Sequence, residues 1–130
     1  MAGCSAGSPA ALPQATCGTA GTHKLGASTQ VLSADKGALN CFDTAIRRCR
    51  AASIEITETG VDTATKYVFE ITPGGTGCPV TMLSQFNSAN FGGSTGPVVS
   101  TQCHLASVTS AGSELGCDGS DVLIPSAARP

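Results

Sequence analysis

Tryptophan is absent from this chain and rings are few: four phenylalanines and one tyrosine make up 4% of the residues. Recognition of sugars or bases by stacking needs exposed rings. Phe42, Tyr67, Phe69 and Phe86 fall in apolar patterns and are expected to fill a core, which leaves Phe91 alone. Charge is scarce too. Asp, Glu, Lys and Arg contribute 12%, against about 25% in an ordinary soluble domain, and the formal net charge is −2. Seven basic residues, with Arg47, Arg48 and Arg50 crowded together, cannot track a phosphate backbone, so no nucleic-acid partner is expected. No apolar run approaches the roughly 20 residues that span a bilayer.

Cysteine is the exception to this sparseness, with seven in 130 residues. A metal site would have to draw on two histidines, His23 and His104, and no C-x-x-C pair is present. Cys103 and His104 are neighbours, so in a strand their side chains leave opposite faces, which is poor geometry for one tetrahedral zinc. Neither a metal nor another cofactor is expected. Structural disulfides in an oxidising compartment explain the cysteines better, but an odd number leaves one over.

The first four residues, Met1-Ala2-Gly3-Cys4, resemble the lipobox of bacterial lipoproteins, where an apolar residue and two small ones precede the modified cysteine. The resemblance covers those four positions and no domain family. It implies that Cys4 carries a thioether-linked diacylglycerol and is the first residue of the mature protein, holding it to a bacterial membrane outside the cytoplasm. Neither a basic n-region nor an apolar h-region precedes the motif in this sequence, so the resemblance implies an upstream start or earlier processing. Setting Cys4 aside leaves Cys17, Cys41, Cys49, Cys78, Cys103 and Cys117, an even set for three disulfides. The stretch that follows Cys4 is rich in Gly, Ser, Ala and Pro and uncharged until Lys24, the composition of a flexible tether.

Beyond the tether, Val31-Leu32 reads as a short extended lead-in. Residues 33–51 then read as a helix, with Ser33 as N-cap, Asp35 in the first turn and arginines in the last, where cations offset the dipole. Leu39, Phe42, Ile46 and Cys49 form its apolar stripe. Across eight helical residues Cys41 and Cys49 stand about 12 Å apart, beyond the about 7 Å a disulfide tolerates, so each must reach another element. After Arg50 the period switches to two. Ile54 and Ile56 alternate with Ser53, Glu55 and Thr57; Tyr67, Phe69 and Ile71 alternate with Lys66, Val68 and Glu70. Pro73 and three glycines make a turn, and further strands are read over 78–86 and 98–109, with a short return near Leu115–Cys117 and an edge strand over 121–125. The expected fold is α+β: one N-terminal helix packed on an antiparallel four- to five-stranded meander, stapled by disulfides. Residues 1–23 are the tether, 24–126 the single domain and 127–130 a tail. Cys103 and Cys117 flank a turn almost symmetrically and are the first pairing expected.

No catalytic residue stands out. The glycines at 92, 93 and 96 lack the helix and Lys-Ser/Thr of a phosphate loop. Asp118 and Asp121 offer two carboxylates where calcium needs six or more oxygens, and a turn accounts for them. Glu55, Glu58, Asp62 and Glu70, with Lys66, read as a solvated face. The expected function is a non-catalytic binding or accessory lipoprotein domain of the cell envelope. Its partners are the membrane, through the anchor, and an envelope protein or small ligand met by the loops at 87–97 and 110–120. A secreted enzyme inhibitor presenting a rigid loop is the alternative, and a small hydrolase built around His104 comes after it.

Overall fold

The computed structural model describes residues 12–22, 36–59, 63–88, 94–110 and 112–126. The helix is α1 (Lys36–Arg47). The strands are β1 (Thr19–Thr22), β2 (Ala52–Thr59), β3 (Thr63–Ile71), β4 (Pro79–Ser88), β5 (Ser94–Thr95), β6 (Val99–Thr109), β7 (Gly112–Cys117) and β8 (Ser120–Pro125).

The expected α+β meander of four or five strands is corrected to a mostly-sheet fold. One mixed, curled sheet runs β1-β2-β3-β4-β6-β7-β8, with β5 on the far end of β4, and a single short helix occurs among the described residues. Neighbours from β2 to β8 are antiparallel, but β1 lies parallel to β2, with Ala20 opposite Ile56. β1 escapes a pattern-based reading because its sequence, Thr-Ala-Gly-Thr, has no apolar alternation and falls inside the stretch read as tether. Its partners hold it instead. Before β1 begins, the Cys17 amide donates to the Ser53 carbonyl at 2.7 Å and the Glu55 amide donates to the Gly18 carbonyl at 3.0 Å.

The curl follows from where α1 sits. It packs against β1 and β2 near one edge of the sheet and against β7 near the other, so the sheet wraps around it. Leu39, Phe42 and Ile46 are fully buried among Ile54, Ile56, Phe69, Ile71, Val80 and Leu115. A helix of 12 residues is marginal alone in water. Burial of each large apolar side chain contributes about 1.5–3 kcal/mol, so this stripe holds the helix in place. A bulge in β6 between Leu105 and Ser107 adds twist.

All six expected cysteines pair: Cys17–Cys41, Cys49–Cys78 and Cys103–Cys117. The helix is thereby tied at its middle through Cys41 and just past its C-terminal end through Cys49, and the two cysteines do reach separate elements. The Cys49 amide donates to the Ile46 carbonyl and the Arg50 amide to the Ala45 carbonyl, the pattern that closes a helix around a left-handed residue, usually glycine. Here that residue is Cys49, at φ 49°, and its partner Cys78 also lies in the left-handed region, at φ 48°. Each costs about 1–2 kcal/mol in backbone strain, held against the disulfide that joins them. The helix stops at Arg47, so Arg48 and Arg50 lie past its end. Ser33, Asp35 and Val31-Leu32 lie outside the described residues.

Among the rings, Phe42 and Phe69 are buried as expected and Tyr67 is half-buried. Phe86 is not core: it is 49% exposed, because β4 carries it past the part of the sheet that the helix covers. Phe91 lies outside the described residues.

Candidate functional site

β6 spans 11 residues and β7 only 6. Their pairing starts at Cys103 opposite Cys117 and runs toward Thr109. Val99 to Gln102 therefore project beyond the end of β7, paired to β4 on one side and to no described strand on the other. A groove of about 490 Å³ lies along that side. Ser100, Gln102 and His104 line it from β6, Gly116 from β7 and Asp118 from the turn into β8.

The backbone direction there is fixed by two observations. The Leu105 amide donates to the Gly77 carbonyl at 2.9 Å, so Leu105 turns its polar groups toward the β4 side. Polar groups alternate along a strand, so His104, Gln102 and Ser100 turn theirs the other way. The Cα atoms of Cys103 and Cys117 are 4.2 Å apart, close to the roughly 4.5 Å of a pair that exchanges no backbone hydrogen bonds, which agrees. The amides and carbonyls of Ser100 and Gln102 thus face the groove.

Side chains complete the floor. His104 lies opposite Gly116, and its ring covers the glycine. A Cβ on Gly116 would stand 2.8 Å from His104 Cε1 and 2.9 Å from Nε2. Gly116 in turn lies opposite Asp121 on β8. Gln102 accepts a hydrogen bond from the Thr81 hydroxyl at 3.4 Å, which directs its amide toward β4. Asp118 and Gly119, at φ 80°, form the two-residue turn between Cys117 and Ser120, and Asp118 is exposed at the groove's end.

Of the residues weighed from sequence, His104 and Asp118 meet on this groove, but no hydrogen bond joins them among the described residues. Asp121 lies on β8 and makes no metal cluster with Asp118; no group of three potential metal ligands occurs among the described residues. The acids on β2 and β3 divide between two faces. Glu55 and Glu70 share the outer face with Lys66, which stands opposite Thr57. Glu58 lies on the inner face and accepts a hydrogen bond from the Tyr67 hydroxyl at 3.3 Å. Burial, and then the nearby Glu58 carboxylate, push the Tyr67 phenol above its ordinary value of 10.0. The expected recognition loop at 110–120 is mostly strand β7 with its flanking turns. Cys4, His23, Asp62 and residues 89–93 lie outside the described residues.

Comparison with family models, curated proteins and solved structures finds no match to this chain. The site therefore rests on its own geometry. Sequence reasoning missed Ser100, Gln102 and Gly116. A signal was present in the length of the uncharged run over 98–109, longer than the return strand that follows it.

A second depression, of about 330 Å³, lies beside Thr16, Ser53 and Glu70. It is a structural seam. The Ser53 amide donates to Thr16 Oγ1 and the Thr16 amide to Ser53 Oγ, both at 2.9 Å, so its central polar groups satisfy each other.

Three disulfides place this chain in an oxidising, extracytoplasmic setting. Among the described residues no helix is long and apolar enough to cross a membrane.

Proposed function

We propose that this chain is a non-catalytic binding module of the bacterial cell envelope, held at the membrane by a lipid on Cys4. One observation carries the anchored reading. The other six cysteines are used up in three disulfides, so Cys4 is the odd thiol, and it stands in the lipobox-like Met1-Ala2-Gly3-Cys4. The binding reading draws on the groove beside β6, a recognition surface on a scaffold braced by Cys103–Cys117 at its edge.

The intact mass of protein isolated from its native cells tests the anchor. The expected mass is that of the chain from Cys4 plus a diacylglycerol, rising by six hydrogens on reduction of three disulfides. A chain starting at Met1 or Ala2 with no added lipid overturns it.

The secreted-inhibitor reading has one observation in its favour: Cys103–Cys117 braces the strands just before the Asp118–Gly119 turn, which would present that turn rigidly. A mature protein recovered without lipid from the culture medium, and inhibiting an enzyme, would favour it over the anchored module.

A further inference from the structure

We propose that the edge of β6 over Val99–Gln102, which no described strand covers, takes up the N-terminal residues of an extended polypeptide as an added strand, antiparallel to β6, with the α-ammonium group beside Asp118. This names the ligand class of the groove and rests on the binding-module reading above.

The edge is a pairing template. Ser100 and Gln102 turn two amides and two carbonyls to a side where no described strand stands, and the groove there is open. Strand edges left bare in this way are usually guarded by a charge, a proline or a bulge. Val99 to Gln102 carries no charged side chain and no proline, and its register with β4 is unbroken. The bulge in β6 comes later, after Leu105. A peptide residue opposite Ser100 and another opposite Gln102 would each exchange two backbone hydrogen bonds, the mode by which extended peptides join sheet edges.

The surroundings select a direction. The lane where no described strand stands is the continuation of β7, which is antiparallel to β6 and ends at Cys117. A peptide running the same way as β7 begins where β7 ends, next to Asp118. Its positive N-terminus then meets the exposed Asp118 carboxylate. A peptide running parallel to β6 would bring its negative C-terminus to the same carboxylate. Charge complementarity therefore favours the antiparallel entry. Gly116 and the flat His104 ring keep the outer face beside the lane low, leaving room for side chains of the added strand. The direct hydrogen bonds are to backbone, so the groove would read chain direction and a free amine before it reads sequence.

The test uses the full disulfide-bonded chain in solution and a Thr-Val-Thr-Val-Thr peptide with a free amine, with amide NMR shifts as readout. Binding is expected to move the amides of Ser100 and Gln102. In two further peptides, alternate backbone nitrogens are methylated, at the second and fourth residues in one and at the third in the other. Only one set faces β6, so one peptide is expected to lose binding while the other keeps it within about threefold. N-acetylation, or Asp118→Asn with the free peptide, is expected to weaken binding roughly two- to fivefold, the size of an exposed ion pair, and Asp118→Asn is expected to leave the acetylated peptide unaffected. No shift at Ser100 and Gln102 at millimolar peptide, or equal effects of the two methylation patterns, overturns the strand addition. Full affinity in both the acetylated peptide and Asp118→Asn overturns the placement of the amine. These outcomes are independent of lipid, so loss of peptide binding with a lipidated native mass removes this inference and leaves the anchored reading standing.

Discussion

Tyr67 is the chain's single tyrosine, and with tryptophan absent its phenolate absorbance reports on one site. Its phenol is pushed above 10.0 by burial and by Glu58, so the folded state holds this proton more tightly than the unfolded state. The stabilisation is fully present below pH 10 and is lost as pH rises through the native value. Tyr67 is therefore expected to titrate later in the native protein than in denaturant. Tyr67→Phe should flatten the alkaline fall in stability, measured by urea unfolding across that range; an unchanged slope would assign the fall to other groups. Tyr67 also shows what a residue's pattern conveys. Its alternation with Lys66 and Val68 correctly set its face, but the hydrogen bond to Glu58 depends on how β2 and β3 register. Cys49 and Cys78 show the opposite limit. That Cys49 pairs outside the helix, like Cys41, was legible from spacing, whereas the left-handed backbone of Cys49 and Cys78 was not, because glycine is the usual mark of that conformation and cysteine is not.

At the scale of elements, the helix and most strands were legible because each carries its own period: the three-four spacing of Leu39, Phe42 and Ile46, and the alternation in β2 and β3. β1 was not, since its place depends on a partner strand and on Cys17–Cys41 rather than on local composition. Nor was the groove, which arises from a mismatch in length between two elements. Glycines divide along the same line. Gly37, in the first turn of α1, has open space where a Cβ would go, so Gly37→Ala should stabilise the protein by up to about 1 kcal/mol. Gly112, where β7 begins, has φ 145°, and a Cβ there would overlap the Ile124 carbonyl. Gly112→Ala must displace β8 and is expected to cost more than 2 kcal/mol, at the severe end for single substitutions. Chemical denaturation of the two variants checks both signs, and a neutral Gly112→Ala would show that β8 can yield.

For the whole molecule, the cysteine count correctly pointed to three disulfides. The fold class was misjudged because curl is a property of all the strands together. Removing one cross-link isolates its share. Cys17→Ser with Cys41→Ser opens a loop of sequence separation 24, which the chain-entropy model values at about 3.5 kcal/mol. β1 also loses its tie to α1, so the Glu55 amide, which donates to Gly18, should exchange with solvent much faster, while the amides between β3 and β4 keep their protection. Equal loss of protection across the sheet would mean that β1 and the rest unfold as one unit.

The three cross-links, 17–41, 49–78 and 103–117, follow one another along the chain without interleaving. Under tension between residue 12 and residue 126, each sulfur bridge acts as a shunt and takes its loop out of the load path. β1, β2, β3 and β7 then carry no pull, while the C-terminal part of α1, β4, β5, the start of β6 and β8 do. A molecule tugged by a tether would yield at those segments first, and the stretch of β6 that no described strand covers on one side sits among them. Reducing agent would return the slack, lengthening the extended molecule by three separate loops.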